Sequence, residues 1–273
     1  MIDLRESTDP EVTAVAQVLA AVDVVAREAG VDYLVVGATS LNLLSIGLVG
    51  LAPHRATRDI DIAVAVGNWA HFERLAEKFE KRGTGPQAFI VGGVEVDIVP
   101  YGGVEDRDRT ILWPNEHRMS VLGFQEAVKS AETVRLPSGV TVRVPSIAAL
   151  ALLKLVAWWE RRMTTTRDAV DLGVMVGWYA AGDRLDRLFE DNMDVLERYD
   201  FDPELAAAWL LGSDMSQLLE PSEIGMVIRI VESDETMGRL ASDTRRPLPR
   251  SLALVEAVRD GIRDGAVSGH GDT

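Results

Sequence analysis

Residues 55–66 read RATRDIDIAVAV. From Asp59 onward Ile60, Ile62, Val64 and Val66 alternate with Asp59, Asp61, Ala63 and Ala65, which is the two-residue period of a β-strand. Asp59 and Asp61 therefore share one face, roughly 6.5–7 Å apart at the backbone. Two hard cations about 3.5–4 Å apart can be bridged by one such carboxylate and flanked by the other, the arrangement that serves in-line phosphoryl transfer. A third carboxylate is needed. Val94-Glu95-Val96-Asp97-Ile98-Val99 repeats the alternation on a second strand and offers Asp97, with Glu95 as the alternative. An Asp-x-Asp read alone is more often a strand end facing water. The reading toward a metal site rests on three carboxylates interrupting two apolar strands.

Upstream, residues 32–36 (DYLVV) form a buried strand that runs into Gly37-Ala38-Thr39-Ser40, and LNLLSIGL beyond it is helical in character. Small residues and free helix N–H groups then face the space past the strand end, where a triphosphate could sit. GxxxxGK[ST] and GxGxxG are both absent, so this is not a P-loop. A tight turn that needs glycine only for packing explains the same residues. Arg55 and Arg58 flank the aspartates and either contact phosphate or offset carboxylate repulsion.

Further outward, Asp9-Pro10 opens a helix with apolar positions Val12, Val15, Ala16, Leu19, Val22 and Val25, closed by Gly30. A helix is expected from Trp69 to about Lys81. Segments 87–91 and 94–99 form a hairpin across Gly92-Gly93, and 132–136 pairs with 140–144 across Pro137-Ser138-Gly139. After Pro145 the pattern is helical only, with runs at 147–162, 167–180 and 183–198 and shorter ones beyond. The expected fold class is α+β: a mixed-sheet domain over 1–145, a helical domain over 146–265 that closes the cleft, and a disordered tail over 266–273.

Composition narrows the chemistry. The 273 residues are 47% hydrophobic and 26% charged, which suits a folded two-domain protein. Cysteine is absent, so disulfides, thiolate metal sites and thiol nucleophiles are excluded and any metal must be held by oxygen or imidazole. His54, His71, His117 and His270 show no metal spacing. The first residues lack a secretory signal pattern, and the apolar stretch from Ile147 to Trp159 is interrupted by Lys154, so a cytoplasmic location without membrane contact is expected. The net charge of −15 argues against non-specific coating of nucleic acid but not against local contact. Residues 183–204 carry nine carboxylates, read as a solvated surface, and Arg239, Arg245, Arg246 and Arg250 form a basic island.

Lys154 is one of four lysines and is embedded in an apolar helix, where an unpaired ammonium would cost several kcal/mol. It requires an anionic partner unless it snorkels to an edge. Arg161, two turns along the same face, would extend a cationic strip. Trp158 and Trp159 could stack a base, although aromatics on such a helix are usually core.

Taken together, Gly37-Ala38, Arg55-Ala-Thr57-Arg58-Asp59-Ile-Asp61 and Asp97 resemble the nucleotidyltransferase superfamily. The Arg-x-Thr-x-Asp-Ile-Asp form looks like the AbiEii/AbiGii toxin-type nucleotidyltransferases, the MenT-like toxins among them. Lys154-Leu-Val-Ala followed by Arg167-Asp168-x-x-Asp171-Leu172 is similar to that group's later motif. The resemblance implies that Asp59, Asp61 and Asp97 bind two Mg²⁺, with Mn²⁺ the alternative, and that Asp97 helps deprotonate an acceptor hydroxyl. It further implies that Gly37, Ala38, Thr39, Ser40, Arg55, Thr57, Arg58, Lys154 and Arg161 hold the nucleoside triphosphate, with Asp171 beside Lys154. The implied reaction transfers NMP from an NTP to RNA, the tRNA 3′ end in particular, under control of a cognate antitoxin. A small molecule of antibiotic type or a protein side chain as acceptor is the second reading, and a catalytically silent nucleotide sensor the third.

Overall fold

The structure, a computed structural model, describes residues 1–268. The chain divides into two compact units, Met1–Ser146 and Ile147–Thr273. The first contains β1 (Ile2–Asp3), α1 (Pro10–Ala29), β2 (Tyr33–Val36), α2 (Gly37–Leu44), β3 (Asp59–Val66), α3 (Trp69–Ala76), β4 (Glu80–Lys81), β5 (Ala88–Val91), β6 (Val94–Gly102), β7 (Thr110–Leu112), β8 (Arg118–Ser120), α4 (Phe124–Lys129), β9 (Glu132–Arg135) and β10 (Thr141–Val144). A π-helical turn, Ser45–Val49, continues α2.

The mixed sheet has the order β2-β3-β6-β5-β4. β3 runs parallel to β6 and antiparallel to β2, and the β5–β6 hairpin pairs across Gly92-Gly93. Leu34, Val35, Ile60, Ile62, Val64, Val96 and Ile98 are buried in this sheet, which is why its two central strands have near-continuous apolar sequence. α1 is set by Asp9, whose side chain accepts from the N–H groups of Glu11 and Val12, and it ends at Gly30 in the left-handed region.

The second unit holds α5 (Ile147–Arg161), α6 (Arg167–Tyr179), α7 (Asp183–Asp191), α8 (Met193–Arg198), α9 (Pro203–Ser216), α10 (Pro221–Ile230), α11 (Asp234–Asp243) and α12 (Leu248–Ser268). α9 and α12 cross backbone to backbone. A Cβ on Gly212 would overlap the Val258 carbonyl oxygen, and one on Gly261 would overlap that of Trp209. No helix among the described residues is long and apolar enough to cross a membrane.

Three expectations about elements are corrected. The helix from Trp69 stops at Ala76, because Glu80 and Lys81 pair with Ile90 and Phe89 as an edge strand. The 183–198 run breaks at Asn192 (φ −134°, ψ 41°), whose side chain donates to the Arg187 carbonyl and closes α7. The tail expected from about Gly265 is helical through Ser268, and residues 269–273 lie outside the described residues.

The acidic segment and the basic island also meet each other. Arg250 reaches Asp202 at 2.6 Å and Glu204 at 2.6 Å, and Arg246 reaches Glu204 at 2.6 Å, tying the start of α9 to the start of α12. The Arg250 guanidinium holds the Asp202 carboxyl below its ordinary value. Burial pushes Glu204 up, but hydrogen bonds from Arg250 and Arg246 outweigh it and the net displacement is downward. Depressed carboxylates stabilise the fold above their unfolded pKa, and that contribution is lost as pH falls through the folded value. Asp202→Asn is therefore expected to lower the melting temperature at pH 7. The gap from wild type should close below about pH 4, as followed by circular dichroism across a pH series.

Candidate active site

β3 and β6 run in the same direction with Asp61 directly opposite Asp97 and Asp59 opposite Glu95. Parallel neighbours about 4.8 Å apart place paired side chains on the same face. One oxygen from each of Asp59, Asp61 and Asp97 lies within 4.8 Å of the others, and all three residues are half-buried. Among the described residues this is the only group of three or more His, Asp or Glu so arranged. Glu95 is outside it, held instead by Arg82. The donor set is carboxylate only, which fits a hard divalent cation.

β2 delivers the turn to this triad. Val36 pairs with Asp61, and Gly37 follows with φ +67°. A Cβ at residue 37 would overlap Asp61 Oδ2 and fall 2.7 Å from Cγ and 2.9 Å from Cβ of the same side chain. Gly37 is thus fixed both by its left-handed backbone and by the carboxylate that occupies the space of a side chain. Ala38, Thr39 and Ser40 are buried. Ser40 Oγ donates to the Gly37 carbonyl at 3.0 Å, and Thr39 Oγ1 faces the Asp59 carbonyl at 3.5 Å. The turn consequently presents backbone, not hydroxyls. The N-terminal N–H groups of α2 carry no side-chain cap.

Thr57 has a local task. Its hydroxyl lies 2.7 Å from the Asp59 carbonyl and 3.1 Å from Asp59 Oδ1, which fixes the entry into β3. Arg58 is exposed and Arg55 half-buried on the preceding loop.

In the helical unit Lys154 is 5% exposed and its ammonium has protein partners. Nζ lies 2.7 Å from Asp171 Oδ2 and 3.3 Å from Asp168 Oδ1, and Arg161 Nη2 reaches the other oxygen of Asp168 at 2.8 Å. The lysine does not snorkel, and Arg161, whose side chain stays largely exposed, shares Asp168 with it. Asp168, one residue into α6, joins this cluster as the carboxylate shared by Lys154 and Arg161, a role its Arg-Asp-x-x-Asp spacing alone does not assign. Trp158 is buried with its indole N–H on Asp243 at 2.9 Å, and the Arg162 guanidinium covers the Trp159 ring at 3.5 Å. Trp158 is core, and Trp159 already has a stacking partner.

The family described as "Nucleotidyl transferase AbiEii toxin, Type IV TA system" matches residues 19–223. The chain belongs to the AbiEii nucleotidyltransferase family. It is by that membership a nucleotidyltransferase, and both the triad and the Lys154 cluster lie inside the matched segment. No curated protein sequence matches the chain. Among solved structures, an antigenic nucleotidyltransferase-like protein from Paracoccidioides brasiliensis is similar at 18% identity, covering 72% of this chain and 93% of that one, with a TM-score of 0.42. ANT(2″)-Ia in complex with adenylyl-2″-tobramycin is similar at 16% identity over 68% and 99%, with a TM-score of 0.38. The Thermotoga maritima CCA-adding enzyme complexed with tRNA gives 12% identity over 96% and 83%, with a TM-score of 0.24.

Two outcomes are expected. Gly37→Ala should destabilise by about 1–3 kcal/mol through overpacking, and adding Asp61→Ala should recover more than half of that loss in urea unfolding. Equal costs in both backgrounds would dismiss the close approach. Lys154→Met should cost on the order of 3–5 kcal/mol by stranding buried carboxylates, and Asp171→Asn in the same chain should return part of it, because one of those charges is then removed.

Proposed function

We propose that this AbiEii family member is a metal-dependent toxin that transfers NMP from an NTP to an RNA hydroxyl, at the tRNA 3′ end, and is restrained by a cognate antitoxin. The observation that carries the metal-dependent chemistry is the three-carboxylate group produced by the parallel Asp61–Asp97 register. The RNA acceptor and the antitoxin rest on the toxin character of the family.

In this reading Asp59, Asp61 and Asp97 hold the divalent ions, Mg²⁺ with Mn²⁺ as the alternative. Bound there, the ions would supply charge neutralisation at the triphosphate and Lewis acidity at its α-phosphorus. The uncapped N–H groups at the start of α2 and the guanidinium groups of Arg55 and Arg58 take triphosphate oxygens. Asp97 receives the proton of the attacking hydroxyl, the new phosphorus–oxygen bond forms at the α-phosphorus, and pyrophosphate leaves. Thr57 keeps the Asp59 carboxylate in position. Lys154, Asp171 and Arg161 are assigned to the nucleotide on the family pattern.

A second reading has a specific observation behind it. A net charge of −15 opposes association with a polyanion and favours a small-molecule acceptor. A silent sensor is disfavoured by the complete triad. Incubation with each α-labelled NTP, Mg²⁺ and total tRNA is expected to label tRNA. Asp59→Asn with Asp61→Asn is expected to reduce that signal at least ~100-fold. Label in an added aminoglycoside, with none in tRNA, would replace the first reading by the second. Nucleotide bound by the wild-type protein without transfer to tRNA, aminoglycoside or mixed protein would favour the sensor.

A further inference from the structure

α2 carries a second device one turn beyond its first residues. Asn42 is 3% exposed and spends its whole side chain on three partners from two other segments. Nδ2 donates to Glu11 Oε1 at 2.5 Å and to the Arg55 carbonyl at 2.8 Å, and Oδ1 accepts from the His54 N–H at 3.0 Å. The orientation of the amide is unambiguous. A carboxylate and a carbonyl only accept and a backbone N–H only donates, so a flipped amide would set acceptor against acceptor twice and donor against donor once. Three residues on, Ser45 Oγ donates to the Ala52 carbonyl at 2.8 Å. At the far end of the same loop, Thr57 holds Asp59. The loop from Leu51 to Arg58 is therefore fastened at both ends and, by Asn42, at two adjacent backbone groups in its middle.

We propose that Asn42 is a positioning residue for nucleotidyl transfer, acting through Arg55 by fixing the loop that aims this guanidinium at the triphosphate. The inference rests on the assignment of Arg55 to the triphosphate made above. Its physical basis is that two hydrogen bonds from one rigid amide to consecutive residues fix both the place and the direction of the chain between them. An arginine released from that constraint must supply the ordering entropy each time it meets a ligand. Glu11 completes the device by holding the amide from α1. The same helix thus presents the glycine turn at its start and sets the arginine-bearing loop on its flank.

The test is a double-mutant cycle on the full chain. The four NTPs with Mg²⁺ serve as probes in calorimetry, and amide hydrogen exchange is followed in parallel. Asn42→Leu, with Asn42→Ser as a second variant if the first does not fold, is expected to weaken Mg²⁺–NTP binding about tenfold. The combination with Arg55→Ala is expected to bind no more weakly than Arg55→Ala alone. Exchange at the His54 amide should accelerate at least ~10-fold while the β3 amides stay protected. Additive losses of nucleotide affinity, or an unchanged His54 amide, would overturn the proposal. A wild-type protein that bound no NTP would overturn the triphosphate reading and Arg55's part in it, and the His54 exchange would show separately whether the clamp itself exists.

Discussion

Asp61 occupies the space in which residue 37 would otherwise keep a side chain. Much of the first unit's local design follows from that contact. The chain can leave β2 only through a residue without a Cβ and with a left-handed backbone, so α2 must start immediately beside the carboxylate. β3 is paired on its other side with β6, and the register that sets Asp61 beside Asp97 also sets Asp59 beside Glu95. A slip of β3 by one residue would turn Asp59 and Asp61 into the apolar layer occupied by Ile60, Ile62 and Ile98, and a slip of β6 would do the same to Asp97. The burial of those isoleucines therefore fixes the triad as firmly as any polar contact. Three carboxylates brought this close repel one another, and the buried apolar layer beneath them holds them there.

The aspartates were legible because strand periodicity is a local property: alternation places Asp59 and Asp61 on one face without knowledge of any partner strand. The later strand and its Asp97 were legible for the same reason, and Gly92-Gly93 announced the hairpin. The order β2-β3-β6-β5-β4 was not, because strand adjacency depends on packing over long separations and no short motif encodes it. Glu80 and Lys81 show the limit from the other side. Their spacing continues a helix, but an open edge beside β5 offers backbone hydrogen bonds that outweigh local preference. Asn42 left no trace in a motif at all. It reads as a polar residue in LNLLSIGL, and its task appears only once the loop carrying His54 and Arg55 is folded against it.

Lys154 divides the two kinds of inference clearly. Burial of an ammonium in an apolar helix demands an anion, and that demand is readable from one segment. Which anion meets it is a tertiary fact, and the structure answers with Asp171 and Asp168. The family pattern had placed a phosphate there. An ammonium has three N–H donors, so contacts with two carboxylates do not by themselves bar a phosphate, although the two negative charges weaken its attraction for a third.

The balance of charge bears on the acceptor in a similar way. Much of the chain's basic chemistry is committed internally: Arg246 and Arg250 to Glu204 and Asp202, Arg161 to Asp168, Arg187 to Asp214, Arg198 to Asp264. Two of the four arginines that look in sequence like a basic island, Arg246 and Arg250, are therefore an internal tie between helices, and the island offers a polyanion less than its residue count implies. A protein so constituted gains little from long-range steering toward RNA, since its net field is repulsive. An RNA acceptor would have to be recognised at short range by shape and by the reacting end. Limited contact of that kind suits modification of a terminus, where one hydroxyl has to be positioned and the rest of the polyanion can remain in solvent.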